Sequence, residues 1–317
     1  IAQQVNYFPN NKYMKKVTQT IGIDVSKLTL DIFIRTTNVH KQFSNDTKGF
    51  KQIIAWLSKQ KVNLEETIFC FEHTGWYCLS LSYFLYENKY TYCCVNALEI
   101  KRSMGLKRGK SDKADAWEIA NYAWLRREEL TPSIPPAKKL IELQRMMSLR
   151  EQLVKQQTAS KNLLKGMATI VADDTSDISM LILKENIIQL EKQILSTEKA
   201  MNELIKHDET MIDNYKLSKT VKGVGMVLAV QMLLHTHNYT RFENSRQFSA
   251  YCGLVPYPYQ SGTSINGRNK IHPISDRKMK SFLSMSAISA IQHDKELKLY
   301  YQKRVEEGKP KMVVLNI

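Results

Sequence analysis

The sequence predicts an α/β domain with a mixed sheet, followed by regions that are entirely helical. Between residues 20 and 95, β-type segments come first as a meander and then alternate with helical segments, which is typical of α/β domains. From residue 138 onward, apolar residues recur mainly at helical spacing. We therefore expect an α/β domain over residues 20–130, a helical hairpin or coiled-coil connector over 137–216, and a helical C-terminal domain over 217–317.

Local patterns define the elements of the first domain. Thr67 to Phe71 is a short, almost continuous apolar run that ends at Glu72, as expected of a buried parallel strand. Asn38 marks a turn between two further β segments. The predicted strands lie at residues 21–27, 28–35, 41–44, 67–71 and 90–95, and the predicted helices at 48–59, 77–86 and from 97 onward.

Pro132, Pro135 and Pro136 end that domain, and two long helices are predicted after them, at 138–167 and 179–215. The second helix carries apolar residues whose spacing alternates between four and three, which is the coiled-coil pattern. An antiparallel hairpin within the chain and an intermolecular coiled coil both fit this pattern, with residues 173–177 as the hairpin tip. The predicted seam consists of Leu183, Ile187, Leu190, Ile194, Thr197, Met201, Leu204, Asp208 and Met211.

The last region begins with a two-glycine turn at Gly223 and Gly225. Such a turn is typical of a helix-hairpin-helix, in which backbone N–H groups at a helix N-terminus bind phosphate; a simple interhelical turn explains the glycines equally well. We further expect a helix at 241–251, a loop at 253–269 and a helix at 278–293. The apolar face of that last helix is predicted at Phe282, Leu283, Met285, Ala287, Ile288 and Ile291.

The charge of the chain favours a polyanionic partner. Lys and Arg total 46 against 31 Asp and Glu, which gives a net charge of +15, and nucleic acid is the usual partner of such a surplus. No apolar run approaches the ~18 residues of a membrane span, and no basic amphipathic helix with an aromatic face supports a membrane surface as the partner.

The 5 cysteines lack the spacing of paired metal ligands, which argues against a zinc site or a disulfide framework and favours a reducing cytosol. The first 20 residues contain no signal-peptide core. The chain begins with Ile1, so we expect either a fragment or further residues upstream, and we expect a short helical tail beyond Ile317.

Four carboxylates of the first domain occupy positions suited to metal chemistry. Asp24 lies within the first strand, where an unpaired carboxylate is costly to bury, and Glu72 ends a central strand, where open α/β sheets place their sites. Asp112 and Asp115 are three residues apart at the start of a helix and share one face of it. Each also fits a plain structural role, as a strand end, a helix cap or an ordinary first-turn residue. Jointly they predict a ribonuclease H-like site for two magnesium ions roughly 3.5–4 Å apart.

Three motifs resemble those of a known family. Residues 22–27 (GIDVSK), 72–77 (EHTGWY) and 110–116 (KSDKADA) resemble the three acidic motifs of DEDD-type insertion-sequence transposases, the bridge-RNA-guided recombinases that include the Piv-type DNA invertases. Later residues resemble the family as well, from Lys222-Gly223-Val224-Gly225 through Phe248, Tyr251 and Gly253-Leu254-Val255-Pro256 to Ser261-Gly262. The resemblance covers nearly all of residues 20–293.

The resemblance implies a composite active site and a bacterial or archaeal protein at the nucleoid in the cytoplasm. A RuvC-like domain would hold Mg²⁺ through Asp24, Glu72, Asp112 and Asp115, and Ser261 of the C-terminal transposase domain would attack DNA and form a covalent phosphoserine link. It further implies donor and target DNA, a structured guide RNA and a dimer or tetramer. The family usually has two serines before the glycine, whereas this chain has Gln260-Ser261-Gly262, which leaves Ser264 as a fallback nucleophile. The family's Lys-x-Gly-Asn element is replaced by residues 275–278 (SDRK).

Nucleic-acid contacts are also expected outside the metal site. Tyr257 and Tyr259 are candidates for stacking on bases, although a solvated basic face with core tyrosines fits the sequence too. About six phosphate contacts would give a log–log salt slope near −5. The candidate contact residues are Lys110, Lys113, Lys222, Gly223, Gly225, Arg268, Lys270, Arg277 and Lys278, with His272 and Lys280 close by.

These observations favour a DNA transposase of an insertion sequence. A site-specific invertase would use the same residues. A nuclease that activates water would need the carboxylates but not the serine, and a decayed transposase that only binds DNA or RNA would need neither.

Overall fold

The computed structural model describes residues 17–103, 111–170, 177–262 and 264–316, without the side chains of Ser261 and Ile265. The chain forms two compact units, divided between Pro135 and Pro136. Each unit is described separately below.

The first unit is built on a five-stranded sheet of order β3-β2-β1-β4-β5. β1 runs antiparallel to β2 and parallel to β4, and β4 runs parallel to β5. This mixed sheet confirms the predicted mixed α/β domain and is consistent with a ribonuclease H-like arrangement. The elements are β1 (Gln19–Val25), β2 (Thr29–Ile34), β3 (Val39–Ser44), α1 (Thr47–Lys59), β4 (Thr67–Glu72), α2 (Leu79–Glu87), β5 (Tyr92–Val95), α3 (Ala97–Ser103) and α4 (Asp112–Leu125).

The central strands are apolar on both sides because helices cover both faces of the sheet. On one face, Ile21 and Ile23 pack in a core with Leu57 of α1 and Leu85 of α2. On the other face, Ile68 and Cys70 of β4 pack with Ile119 and Tyr122 of α4. Side chains of β1 and β4 that alternate toward α4 therefore share that helix's surroundings.

The second unit comprises the long helices and the C-terminal region. Its helices share a core, since Leu143, Met201, Tyr215 and Leu233 lie in one buried cluster. The predicted division into a connector and a separate C-terminal domain stays a prediction. The elements are α5 (Lys138–Met167), α6 (Ile178–Lys206), α7 (Glu209–Thr220), α8 (Met226–His235), α9 (Ser245–Tyr251), β6 (Pro256–Ser261), β7 (Ile265–Ile271), α10 (Arg277–His293), α11 (Lys295–Glu306) and α12 (Lys311–Val314).

α5 and α6 pack on each other within the chain as a helical hairpin. Leu190 and Ile194, both in the predicted seam, are buried against Leu153 of α5, and Arg150 Nε donates to Glu198 Oε1 at 2.6 Å. The predicted hairpin tip at 173–177 lies outside the described residues except for Asp177. That residue caps α6, where its side chain accepts from the Met180 N–H.

The prediction of one helix over 179–215 is wrong, because the helix is interrupted between Lys206 and Glu209 and two helices, α6 and α7, form instead. Asp208, placed in the seam by its spacing, is instead the N-cap of α7 and accepts from the Met211 N–H at 3.1 Å. Lys139 Nζ donates to the carbonyl of His207 at the break. A short acidic side chain that bonds free N–H groups favours a helix start over a helix interior.

The predicted helix at 241–251 begins only at Ser245, because Asn244 caps it through the Gln247 N–H. The predicted loop at 253–269 is wrong, because most of it forms the antiparallel pair β6–β7. Its Pro and Gly residues suit a loop, but a two-stranded ribbon consists only of edge strands, which tolerate proline.

The predicted apolar face of α10 is wrong in part. Met279 and Ala290 are its buried residues, whereas Met285 is 64% exposed and Ile288 39% exposed. The prediction assigned the face from spacing alone, and the partner helices decide which stripe is covered. In the described part of the chain, no helix is both long and apolar enough to cross a bilayer, and all five cysteines are free thiols.

Candidate active site

The sheet brings Asp24 and Glu72 to the same edge and the same face. β1 and β4 are parallel, and Gly22 lies opposite Cys70 in their register. Asp24 and Glu72 are each two residues further along, so they lie side by side on the face that α4 covers. Both carboxylates are half-buried.

α4 lies unusually close to β1 because Gly22 has no side chain. A methyl group at Gly22 would overlap the Ala116 carbonyl oxygen and the Ala120 backbone nitrogen. Thr20 Oγ1 donates to the Ala120 carbonyl at 2.9 Å and fixes the same contact. Neither Gly22 nor Thr20 was predicted to position the site, although a glycine inside a strand is a known sign of close backbone approach.

The close packing places the first turn of α4 beside the two strand carboxylates. Ser111 caps the helix by accepting from the Ala114 N–H at 3.2 Å, and Asp112 and Asp115 follow in the first turn. Asp112 is exposed and Asp115 half-buried. The positive end of the helix dipole stabilises carboxylates at these positions.

The pKa of Asp24 shows that the four carboxylates share one electrostatic environment. Burial and the negative charges of neighbouring carboxylates together raise this pKa from its usual value to about 6. Burial is the largest cause, followed by Asp115, Asp112, Glu72 and Asp31. The residues that sequence reasoning grouped together thus act on the same carboxyl group.

These side chains have the chemistry of a magnesium site, since Mg²⁺ prefers carboxylate oxygens. As they are arranged, however, no three His, Cys, Asp or Glu side chains within residues 17–103, 111–170, 177–262 and 264–316 lie close enough together to hold a metal ion. A divalent cation would offset the repulsion that raises the Asp24 pKa, so the donor set fits such an ion in its chemistry.

A fifth carboxylate, Asp31, lies beside Asp24 and was not predicted from the sequence. Asp31 of β2 lies directly opposite Asp24 in the β1–β2 register and is buried. Its oxygens lie 2.8 Å from His40 Nε2 and 3.0 Å from Gln42 Nε2, which donates to it. The signal that singled out Asp24, a carboxylate within an apolar strand, applied equally to Asp31.

Ser261 is the last residue of β6 in the second unit. The next residue, Gly262, has a φ of +56° and begins the turn to β7. Ser261 therefore belongs to one unit and the four carboxylates to the other, and each is described within its own unit.

The candidate nucleic-acid residues have different surroundings. Lys113, Arg268, Lys270 and Arg277 are exposed, and Lys110 lies outside the described residues. Lys278 Nζ donates to Glu151 Oε2 at 2.6 Å, and Lys222 Nζ lies 3.6 Å from Asp294 Oδ2. The charges of Lys278 and Lys222 are therefore partly neutralised within the protein.

The two glycines of the α7–α8 turn differ. Gly223 has a φ of +88°, and a methyl group there would overlap the Ser286 carbonyl oxygen of α10. Gly225 caps α8, with open space where a methyl group would point. Gly223 thus serves helix packing, whereas the Gly225 end is accessible.

The chain is similar to known transposases and to gene-inverting proteins. A DEDD-type IS110 transposase model matches residues 21–172, and a model of the IS116/IS110/IS902 transposase family matches residues 215–302. A pilin gene-inverting protein of Moraxella lacunata is 27% identical over 279 residues, which cover 84% of this chain and 81% of that protein. Its counterpart in Moraxella bovis is 26% identical over 277 residues, with the same coverage.

A shorter match joins the chain to an insertion element. An IS110 protein of Streptomyces coelicolor is 29% identical over 90 residues, which cover 28% of this chain and 22% of that protein. The first matched region contains all four candidate carboxylates and the second contains Ser261. The chain therefore carries the transposase domains of the IS110 family and is homologous to the pilin gene-inverting proteins.

Proposed function

We propose that this protein is a DNA recombinase that mobilises an insertion sequence. The observation that supports the proposal is electrostatic: Asp115, Asp112 and Glu72 lie near enough to Asp24 to raise its pKa. The transposase domains and the gene-inverting relatives support DNA as the substrate.

The four carboxylates would hold Mg²⁺ in a ribonuclease H-like, RuvC-like domain. Bound there, the ions would activate the attacking oxygen and stabilise charge on the leaving oxygen. Asp24 and Glu72 supply donors from two adjacent strands, and the first turn of α4 supplies the other two. The exposed Lys113 lies in that same turn and would attract the phosphate backbone.

Ser261 would act as the nucleophile. Its oxygen would form a bond to phosphorus while the bond to one bridging oxygen breaks, and the serine proton would pass to a base at the site. The phosphoserine link would retain the energy of the broken phosphodiester, so that a second DNA end can be joined without ATP. A structured guide RNA and a dimer or tetramer, at the nucleoid of a bacterial or archaeal cytoplasm, complete the proposal.

The alternatives use subsets of the same residues. An invertase would use all five, and the gene-inverting relatives favour it as the second candidate. A nuclease that activates water would use only the carboxylates, and a non-catalytic binding remnant would use none of them.

One assay separates these functions. Protein, Mg²⁺, candidate guide RNA and end-labelled DNA are incubated, and denaturing gels are examined for label covalently attached to protein. We expect a Mg²⁺-dependent adduct that is lost in Ser261→Ala and Asp24→Asn but retained in Ser264→Ala, a matched change three residues away. An adduct that survives Ser261→Ala places the nucleophile elsewhere, and nicking without an adduct supports the nuclease.

A further inference from the structure

The β6–β7 ribbon presents two aromatic rings to solvent. Tyr257 is 44% exposed and Tyr259 is 56% exposed, although aromatic rings contribute most when they are buried. A ribbon of two strands has no core of its own in which to hide them. Their exposure therefore suggests a partner that contacts rings.

The ring of Tyr259 is held in place by its own ribbon. A methyl group at Gly267, directly opposite in the register, would lie 2.7 Å from Tyr259 Cδ1, so the ring packs across a glycine. Lys270 Nζ lies 5.3 Å from the ring centroid, within the range of a cation–π contact. The ring is thus positioned in advance and loses little freedom when a ligand binds.

The strand register shifts between Tyr257 and Tyr259. Pro258 lies at this shift and has no N–H for the ladder, which favours a β-bulge. Tyr257 consequently lies opposite Lys270, and its ring meets His272 edge-on at 6.4 Å between centroids. Lys270, which contacts the ring of Tyr259, thus also lies opposite Tyr257 in the register.

The ribbon and its flanks carry no negative side chain. The sequence from Asn244 to Ser275 contains neither Asp nor Glu, whereas Arg268 and Lys270 are exposed on β7. Exposed rings interleaved with cations, in a segment free of carboxylates, complement a phosphate backbone with accessible bases.

We propose that the β6–β7 ribbon binds a DNA strand whose bases are locally unpaired. Tyr259 stacks on one unpaired base, and Arg268 and Lys270 bind the adjoining phosphates. Bases within a duplex have both faces covered by their neighbours, so a ring stacks only on a base that has left the stack. The assignment to DNA rests on the proposed function, because Ser261 ends the same strand and the bound strand would be the one it cleaves.

The test measures binding by the full chain in EDTA, so that no cleavage is needed. The probes are a DNA duplex of about 30 base pairs, the same duplex with a short bubble containing 2-aminopurine, and single-stranded RNA of the bubble sequence. One stacked base contributes roughly 1–3 kcal/mol, so we expect about tenfold tighter binding of the bubble than of the duplex. Stacking on Tyr259 should also quench the 2-aminopurine fluorescence.

Four variants assign the effect to the ring. Tyr259→Leu should lose the bubble preference and the quenching, and Tyr259→Phe should keep both. Gly267→Ala should weaken both because the added methyl group displaces the ring without removing it. Tyr86→Leu is the matched control, since Tyr86 is 50% exposed but lies on α2 in the first unit, and it should bind as the unchanged protein does. Far-UV circular dichroism checks that every variant is folded.

Equal affinity for duplex and bubble, wild-type binding by Tyr259→Leu, or preference for the RNA probe would each overturn the proposal. Equal affinity would point to the ribbon lying in the major groove of an intact duplex. Failure of the covalent-adduct assay with bubble binding intact would count against the recombinase and leave this inference standing. A covalent adduct formed by a protein that shows no preference for the bubble would support the recombinase and overturn this inference.

Discussion

Asp24 carries a carboxylate whose surroundings disfavour its charge. Burial and the neighbouring carboxylates raise its pKa to about 6, above the usual value near 3.9. Between about pH 4 and pH 6 the folded protein therefore binds more protons here than the unfolded chain does, and stability falls as pH rises through this range. Above pH 6 the full penalty of the charge remains.

The raised pKa of Asp24 predicts how Asp24→Asn changes the stability of the metal-free protein. At pH 7 the variant should be more stable by of order 1 kcal/mol, a figure reduced for the solvent screening of a half-buried group. The difference should vanish by about pH 4. All 4 tryptophans lie at positions 56, 76, 117 and 124, so urea unfolding followed by tryptophan fluorescence reports on the first unit alone. A gain of stability at pH 4 as large as at pH 7 would contradict the pKa shift.

The carboxylates also show which residues of the candidate site can be predicted from local sequence patterns. A charge within an apolar strand and a charge at the end of a buried strand could be recognised because the patterns are local. Asp31 carried the same signal but matched no motif, and its position opposite Asp24 depends on the hairpin register. The contribution of Gly22 depends on a helix that begins ninety residues later in the chain, which no local pattern contains.

At the scale of elements, the contact between β1 and α4 holds the site together. Gly22→Ala should destabilise the first unit by about 1–3 kcal/mol, the usual range for overpacking a rigid core, because backbone atoms of α4 occupy the space for the new methyl group. Tryptophan-detected urea unfolding measures the loss. Gly166→Ala in α5 is the matched control, since open space surrounds that position; it should leave the tryptophan transition unchanged.

The break between α6 and α7 gives a second prediction at this scale. Asp208→Ala removes a helix cap and an ion pair to Lys139, and it should cost the second unit about 1 kcal/mol. Far-UV circular dichroism during urea unfolding measures the change. Asp213→Ala, an exposed site in the same helix, serves as the control. If both variants lose equal stability, capping does not explain the break.

Elements were predicted best where burial or periodicity determines them. α5 was predicted at its observed bounds, and the strands of the first unit within a few residues. The β6–β7 ribbon escaped prediction because Pro256, Pro258, Gly262 and Gly267 suit a loop and no buried face imposes alternation. The helix break at Asp208 escaped because apolar spacing continued across it.

At the scale of the whole molecule, the net charge of +15 is the dominant property. The affinity for duplex DNA should fall with salt at a log–log slope of about −5, from about six phosphate contacts. Titrations at several salt concentrations measure the slope, and a value near zero would contradict nucleic-acid binding as the function of the charge.

Single cations should contribute unequally to this slope. Arg268→Ala removes an exposed charge and should reduce the slope by about 1. Lys278→Ala should reduce it by less, because Glu151 already binds that ammonium group at 2.6 Å. The same titrations compare the two variants, and equal reductions would mean that Lys278 leaves Glu151 when DNA binds.

The contact between Gly22 and α4 has a consequence for how this protein tolerates mutation. The position of α4 against β1 is set by contacts of the Ala116 and Ala120 backbone with Gly22 and by the hydrogen bond from the Thr20 hydroxyl. Backbone atoms are common to every residue type, so the placement of Asp112 and Asp115 is largely decoupled from the identity of the large core side chains. A library that varies Ile68, Ile119 and Tyr122 should thus yield many variants whose stability changes while the geometry of the site does not. A library that varies Gly22 should yield almost no variants that keep this geometry.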